Sequence, residues 1–175
     1  MSRIFGAVTQ NGYVVRDIQT AMQHWAENLH VGPWFYVHDI PIMNFRYRGV
    51  PSDARMSVGI AYAGDLQIEL IEPTNDAPSM YRDFLAAGHE GLQHICYGTS
   101  NFQADYDKAL ELGYVVGQEG CVGGEQGRFA YFDTQTHPGT VLELSDHGGP
   151  KKAIFDFMRK TAATWDGSRP IRHMN

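Results

Sequence analysis

The sequence predicts an α+β fold made of two similar β-α-β-β-β units and a C-terminal helix. Three observations predict it. Stretches near residues 10 and 94 share one strand-to-helix layout, each is followed by a hairpin pattern, and an amphipathic stretch follows the second hairpin. A length of 175 residues is typical of one domain, and 43% hydrophobic residues are enough to form a core.

The first unit opens with a β-rich run at Gln10, followed by Asp17 at a helix N-cap position. Apolar residues then recur at helical spacing, which predicts the first helix. They are Ile18, Ala21, Met22, Trp25 and Leu29. Farther on, an apolar strand, a turn at Gly64 and a second strand that contains Glu69 predict a hairpin.

The second unit repeats this layout, and its first strand and helix follow those of the first unit at an offset of 84 residues. A strand through His94 leads to Asn101 as N-cap, and Gly113 ends the predicted helix. A strand, a turn over residues 134–139 and a last strand with Glu143 complete the unit. The triplets Ile-Ala-Tyr and Phe-Ala-Tyr also suggest that Tyr62 and Tyr131 occupy matching positions.

A short helix around Tyr81, Phe84 and Leu85 is predicted between the units, after Pro78 and Ser79. The C-terminal helix carries an apolar stripe that needs a surface, either this chain's sheet or a second subunit. We therefore predict one domain over residues 1–150, with module one over 7–73, a linker over 74–90 and module two over 91–147, then a helix over 151–166 and a loose tail over 167–175.

Composition excludes several classes of protein. Fourteen Lys and Arg against twenty Asp and Glu give a net charge of −6, so we expect no nucleic-acid partner. Two cysteines, Cys96 and Cys121, cannot make a disulfide framework. No apolar run has the length of a signal peptide or a membrane span. We expect a cytoplasmic protein with reduced thiols and no membrane partner.

Four polar residues occupy repeat-related positions. Gln10 and His94 lie in the first strand of each unit, and Glu69 and Glu143 lie in the last. Each interrupts an apolar strand, where a buried carboxylate is costly unless it is paired or binds a metal. Taken singly, each residue is more often on the solvent face of a sheet. Taken together about a twofold axis, they predict one site.

One amide, one imidazole and two carboxylates are a suitable ligand set for Zn²⁺, Ni²⁺, Co²⁺ or Mn²⁺. The two negative charges roughly cancel a divalent ion. Water or substrate oxygens complete such a shell, and the absence of thiolates disfavours a closed structural zinc site. No phosphate-binding glycine loop is present, so we expect no organic cofactor.

The layout resembles the vicinal oxygen chelate superfamily, which contains glyoxalase I, methylmalonyl-CoA epimerase, extradiol dioxygenases, and fosfomycin and bleomycin resistance proteins. The resemblance covers about residues 7–147. It rests on five motifs, which are Gln10-Asn-Gly-Tyr-Val-Val-Arg-Asp, Val31-Gly-Pro-Trp34, Leu66-Gln-Ile-Glu69-Leu-Ile-Glu-Pro73, Gly91-Leu-Gln-His94-Ile and Val141-Leu-Glu143-Leu. It implies a cupped mixed sheet around a metal held by Gln10, Glu69, His94 and Glu143, commonly in a homodimer.

The order Gln, Glu, His, Glu is similar to the zinc type of glyoxalase I, while other motifs resemble epimerase-like members. The chain differs from each of these two families at one functional position. Val14 stands where glyoxalase I has an arginine for glutathione, and Asp53 is the only carboxylate near the position of an epimerase base. Extradiol dioxygenases use two histidines and one carboxylate, so Gln10 makes that function less favoured.

The resemblance implies a metal-dependent isomerase or lyase that removes a proton beside a carbonyl of a small-molecule substrate. Glu143 is the first candidate for the base, and Glu69 would approach from the opposite face. The alternative is a non-catalytic small-molecule binding or resistance protein of the same fold. Arg46, Arg48 and Arg55 are candidates for holding an anionic group of a substrate, although surface arginines are common.

Overall fold

One eleven-stranded mixed sheet and four helices make up residues 2–133 and 140–174, the part of the chain that this computed structural model describes. In chain order the elements are β1 (Gln10–Val14), α1 (Ile18–Asn28), β2 (Trp34–Val37), β3 (Ile42–Tyr47), β4 (Val50–Pro51), β5 (Met56–Ala63), β6 (Leu66–Pro73), α2 (Met80–Ala86), β7 (Gly91–Thr99), α3 (Phe102–Glu111), β8 (Val115–Val122), β9 (Arg128–Asp133), β10 (Val141–Asp146), α4 (Gly149–Ala163) and β11 (Ile171–His173). The turn predicted over residues 134–139 lies outside the described residues.

The sheet has two equivalent halves that meet at β1 and β7. The strand order is β11-β2-β5-β6-β1-β7-β10-β9-β8-β3-β4. β1 and β7 run antiparallel, with Gln10 opposite Cys96 and Gly12 opposite His94. Gln10 and His94 are 84 residues apart, as are Gly12 and Cys96, so exchanging the two strands converts the first pair into the second. The predicted repeat is therefore confirmed as a pseudo-twofold axis between the two central strands.

Each half has a helix packed on its sheet. α1 begins where Asp17 accepts the backbone N–H of Thr20 at 3.0 Å, and it buries Ile18 and Met22 against the first half. In the second half, α3 buries Phe102 in the same way. The predicted helix starts are confirmed, although Asn101 makes no side-chain cap hydrogen bond.

The first unit contains more strands than predicted. β3 crosses to the second half and pairs with β8, so the β3–β4 hairpin lies at the far edge of the sheet. The proposed match of Tyr62 with Tyr131 is wrong. Glu69 is opposite Ile60 and Glu143 is opposite Tyr131, so Tyr131 is equivalent to Ile60, because the strand register and not the similar triplets decides the pairing.

α4 covers the sheet of this same chain, near β5, and it begins two residues earlier than predicted. Met158 is buried, whereas Phe157 is 56% exposed and meets only the edge of the Phe35 ring. The prediction of a loose tail was wrong. β11 pairs in parallel with β2, because the open edge of β2 offers unpaired backbone groups to the returning chain.

None of the helices in the described ranges is both long and apolar enough to cross a membrane.

Candidate metal centre in an apolar cavity

A cavity of about 480 Å³ lies between the two halves of the sheet and under α4. Its walls come from both sheet halves, from the loop before β3 and from the C-terminal helix. Most of them are apolar. Gln10, Glu69 and Glu143 line it together, so the structure brings three of the four predicted ligands to one wall. The fourth, His94, lies fully buried directly behind them.

Glu69, His94 and Glu143 form a compact group whose potential ligand atoms all lie within 4.8 Å of one another. His94 Nε2 is 3.3 Å from Glu69 Oε2 and 3.3 Å from Glu143 Oε2. A single N–H cannot donate a well-aligned hydrogen bond to both. Glu143 Oε2 is buried and has no hydrogen-bond partner among the described residues.

In the absence of metal, the two carboxylates share the positive charge of the protonated His94 imidazole. Burial opposes the charge on His94, but hydrogen bonding and attraction to Glu143 and Glu69 outweigh it and raise the pKa to about 9. Burial raises the pKa of Glu69, and the charge of Glu143 adds to this. Although burial also acts on Glu143, contact with His94 is strong enough to lower its pKa.

Two neighbours fix the orientation of the His94 ring. Gln93 Oε1 is 2.8 Å from Nδ1, which leaves Nε2 facing the two carboxylates. The Tyr131 hydroxyl is 3.4 Å from Nε2, and the two rings meet edge to face. Polar groups that orient an imidazole in this way are typical of metal-binding histidines. The sequence did not indicate Gln93, because a side-chain contact between two successive residues of one strand leaves no recognisable sequence pattern.

The amide of Gln10 is also held by a buried neighbour. Its Nε2 donates to Gln67 Oε1 at 2.6 Å, and Gln67 Nε2 donates to the Tyr62 hydroxyl at 2.8 Å. Because the amide nitrogen donates to Gln67, Oε1 is the atom of Gln10 that remains to bind a metal ion. Gln67 precedes Glu69 by two positions on β6, so both side chains point to the same face.

Gly12 is a further residue that the site requires. A Cβ atom at this position would lie 1.8 Å from Cε1 and 1.9 Å from Nε2 of His94. Only glycine therefore leaves room for the imidazole. Its repeat equivalent is Cys96, a buried thiol opposite Gln10. When the first strands of the two units are paired antiparallel with Gln10 opposite Cys96, Gly12 lies opposite His94. The sequence repeat could therefore have indicated Gly12.

These residues fit a divalent cation. Two carboxylates, an imidazole and an amide oxygen are hard to borderline ligands, and the two negative charges balance such an ion. Apart from His94 Nε2 at 3.3 Å, the buried Oε2 of Glu143 has no polar partner in residues 2–133 and 140–174, and a bound cation would satisfy it. The three groups identified by geometry alone coincide with three of the four residues selected from the repeat.

Other candidates from the sequence lie elsewhere. Asp53 is exposed, and Val14 is fully buried in the core; neither lines the cavity. Arg48 pairs with Asp83 and Arg55 with Asp39 at the surface. Among the described residues that line the cavity, the one lysine or arginine is Lys151 on α4, which the sequence did not single out.

Comparison with known protein families agrees with the resemblance found in the sequence. A family model described as the Glyoxalase/Bleomycin resistance protein/Dioxygenase superfamily matches residues 9–132, more than half of the chain. A search of curated protein sequences gave no match.

Solved structures with the same fold include methylmalonyl-CoA epimerases. The enzyme from Mycobacterium tuberculosis is 18% identical, with a TM-score of 0.59 over 88% of this chain and 95% of that one. A Streptomyces coelicolor methylmalonyl-CoA epimerase in complex with 2-nitronate-propionyl-CoA is 18% identical, with a TM-score of 0.54 over 79% and 95%. A hypothetical protein from Bacillus halodurans is 17% identical, with a TM-score of 0.58 over 82% and 95%. At these identities the likeness concerns the fold.

Proposed function

Because the chain belongs to the glyoxalase/bleomycin resistance protein/dioxygenase superfamily, we propose that it is a divalent-metal-dependent isomerase or lyase that removes a proton beside a carbonyl group. One observation carries the proposal: a buried and a partly buried carboxylate from repeat-equivalent strands converge on one imidazole at the wall of an apolar cavity. Buried carboxylates at such a wall are suited to proton transfer.

Gln10, Glu69, His94 and Glu143 would hold the ion through Oε1, one carboxylate oxygen each and Nε2. Zn²⁺, Ni²⁺, Co²⁺ and Mn²⁺ are compatible with this set. When bound, the ion supplies a Lewis acid that polarises a substrate carbonyl and stabilises the negative charge left after deprotonation. His94 must be neutral to bind, so its proton leaves as the ion enters.

Glu143 is the first candidate for the base. Glu143 lines the cavity, and apart from the ion pair with His94 its buried Oε2 has no hydrogen-bond partner among the described residues, so the carboxylate can accept the proton of a C–H bond beside the carbonyl. The electron pair of that bond then moves onto the carbonyl oxygen. Delivery of the proton by Glu143 to a different atom of the substrate completes an isomerisation, whereas delivery of a proton by Glu69 to the opposite face of the same carbon inverts that carbon.

The cavity favours a small substrate with an apolar body, since its walls consist mostly of aliphatic and aromatic side chains. The features expected for glutathione and methylmalonyl-CoA are missing. Val14 is fully buried where an arginine would hold glutathione, and Asp53 is outside the cavity. We infer that the substrate is neither of these compounds.

A second candidate function is non-catalytic capture of a small apolar molecule. The composition of the cavity wall favours it, because ligand pockets are mostly apolar with a few polar anchors. Capture alone gives no reason for two carboxylates beside one buried histidine, so the enzyme remains the first proposal.

Solvent proton exchange tests the enzymatic function without knowledge of the product. Metal-loaded protein is incubated in deuterated water with small oxo acids, methylmalonyl-CoA and the hemithioacetal of glutathione, and deuterium at the carbon beside the carbonyl is followed by NMR. We expect exchange with at least one oxo acid, and a loss of roughly 100-fold or more in Glu143→Gln. Glu111→Gln, at an exposed position, is the matched control.

Stereochemistry separates the roles of the two carboxylates. If Glu69 serves the opposite face, Glu69→Gln stops inversion of the substrate carbon but leaves exchange on one face. Binding of an oxo acid without exchange, by a wild type that retains its metal, would instead establish the capture function.

A further inference from the structure

The cavity contains a second polar group, separate from the four proposed ligands. Ser145 and His147 follow Glu143 at alternate positions along and beyond β10, so all three face the cavity. Lys151, in the first turns of α4, reaches the same corner, where its ammonium group is 3.4 Å from Ser145 Oγ. Three polar side chains thus form one end of an otherwise apolar space.

Lys151 is held in this position without an acidic partner. Among residues 2–133 and 140–174, no carboxylate oxygen lies within 4.0 Å of its ammonium group. Its Cε packs over the backbone at Gly127, 3.1 Å from where a Cβ would lie. The neighbouring Lys152 differs, since it is exposed and pairs with Asp156 at 2.6 Å.

The charges of the cavity are balanced except for this lysine. With a divalent ion bound, the two carboxylates, a neutral imidazole and the ion would add to zero, which leaves the single positive charge of Lys151; without the ion, the protonated His94 leaves the group with one negative charge. Burial lowers the pKa of His147, so its ring is neutral at neutral pH and offers a hydrogen bond and no charge. One unpaired cation in an apolar space attracts a singly charged anion.

The positions of these groups set the shape of the ligand. Ser145 is two residues beyond Glu143, and two residues along a strand span about 7 Å. The space between is bounded by Ile154, Phe155 and Met158 of α4. A ligand that bridges the two ends has an anionic group and a carbonyl joined by a short apolar body.

We propose that Lys151 and Ser145 form a carboxylate-binding subsite, so that the substrate is a small acid with an apolar body and a distal carbonyl that reaches Gln10, Glu69, His94 and Glu143. The carboxylate subsite stands on the contacts of Lys151 alone, while the assignment of the carbonyl end rests on the proposed function. α4 supplies both the cation and the apolar cover, which gives this helix a role in substrate selection.

Binding of a matched pair of probes tests the subsite. Hexanoate and hexanamide have the same length and differ in charge, and calorimetry gives the affinity of each for the metal-stripped and the Zn²⁺-loaded protein. We expect Zn²⁺-loaded wild type to prefer hexanoate by about tenfold, since an ammonium–carboxylate pair in an apolar site is favourable, and the stripped protein to show the same preference more weakly, since the two carboxylates are then not neutralised by an ion. Lys151→Met and Lys151→Gln should remove the preference, Lys151→Arg should keep it, and Lys152→Met is the matched control.

The outcomes separate the two proposals. A preference in the stripped protein that disappears in Lys151→Met supports the subsite, even if no zinc is bound and the proposed function fails. A preference found only with zinc, and unchanged in Lys151→Met, means that the carboxylate binds the metal and overturns the subsite. Equal affinity for the two probes, or no binding of either at millimolar concentration, overturns it as well.

Discussion

The imidazole of His94 occupies the space that a side chain at position 12 would fill. Close approach of the backbone at Gly12 lets the ring lie between β1 and the two carboxylates, with Gln93 fixing Nδ1 on its other side. The geometry of the candidate metal centre therefore depends on Gly12, which has no side chain that could bind the ion.

Gly12→Ala should displace the ring. The added methyl group overlaps Cε1 and Nε2, so we expect a loss of about 1–3 kcal/mol of stability and loss of the ion. Urea unfolding and metal content measure the two effects. Gly59→Ala is the control, because its Cβ would meet Met22 Sδ at 2.9 Å, in the core that packs against α1 and not at the candidate ligands. It should destabilise the fold but retain the ion; full metal content in Gly12→Ala would contradict this geometry.

Metal affinity should depend on pH through His94. Its pKa of about 9 in the metal-free protein exceeds the ordinary value of 6.5, so the ring is protonated at neutral pH and must lose that proton before Nε2 can bind. We expect the apparent affinity to rise about tenfold per pH unit up to about pH 9 and then level off. Calorimetry in buffers of different ionisation enthalpy should give about one proton released per ion. Affinity independent of pH would be inconsistent with this pairing.

Repetition explains why some site residues were predictable and others were not. Gln10 with His94 and Glu69 with Glu143 stand at equivalent strand positions, so a sequence comparison within the chain finds them. Gln93, Gln67 and Lys151 have no equivalents, and their roles depend on side-chain directions that the fold sets. The sequence therefore predicted the candidate ligands that the structure brings together, and the residues that orient or complement them emerged from packing.

At the scale of elements, β11 completes the sheet next to β2. The backbone N–H of Trp34 donates to Pro170 at 2.7 Å, and that of Met174 donates to Tyr36 at 2.8 Å. Three residues are too few for an alternating pattern, which is why the sequence suggested a tail. The same limit applies to the two-residue strand β4.

Removal of residues 167–175 should destabilise the protein, because it exposes the edge of β2 and one end of the cavity. We expect a loss of about 1–3 kcal/mol in urea unfolding, from a few backbone hydrogen bonds and the burial of Ile171. Arg172→Ala, which keeps the strand and removes one side chain, should cost less than about 1 kcal/mol. Unchanged stability after the deletion would mean that β11 adds nothing to the sheet.

At the scale of the molecule, a pseudo-twofold axis brings four strands from two repeats to one point. The pairs Gln10 with Cys96 and Gly12 with His94 convert into each other about this axis. The extra elements β3–β4, α4 and β11 break the symmetry, and β3, α4 and Met174 after β11 line the cavity. The shared core positions the ligands, while these additions shape what can bind.

Homodimer formation, which the resemblance implies, stays a prediction at this scale. Sedimentation equilibrium should give twice the chain mass of 19.6 kDa. A species of single-chain mass at all concentrations would contradict it.

Metal content tests the central claim most directly. Plasma mass spectrometry of wild type should give about one divalent ion per chain, either as purified or after loading with Zn²⁺, Ni²⁺, Co²⁺ or Mn²⁺. A folded variant with His94→Ala and Glu143→Gln should retain none, while Glu111→Gln behaves as wild type. A wild type that binds none of the four ions would contradict the metal centre and leave the apolar cavity as a capture site.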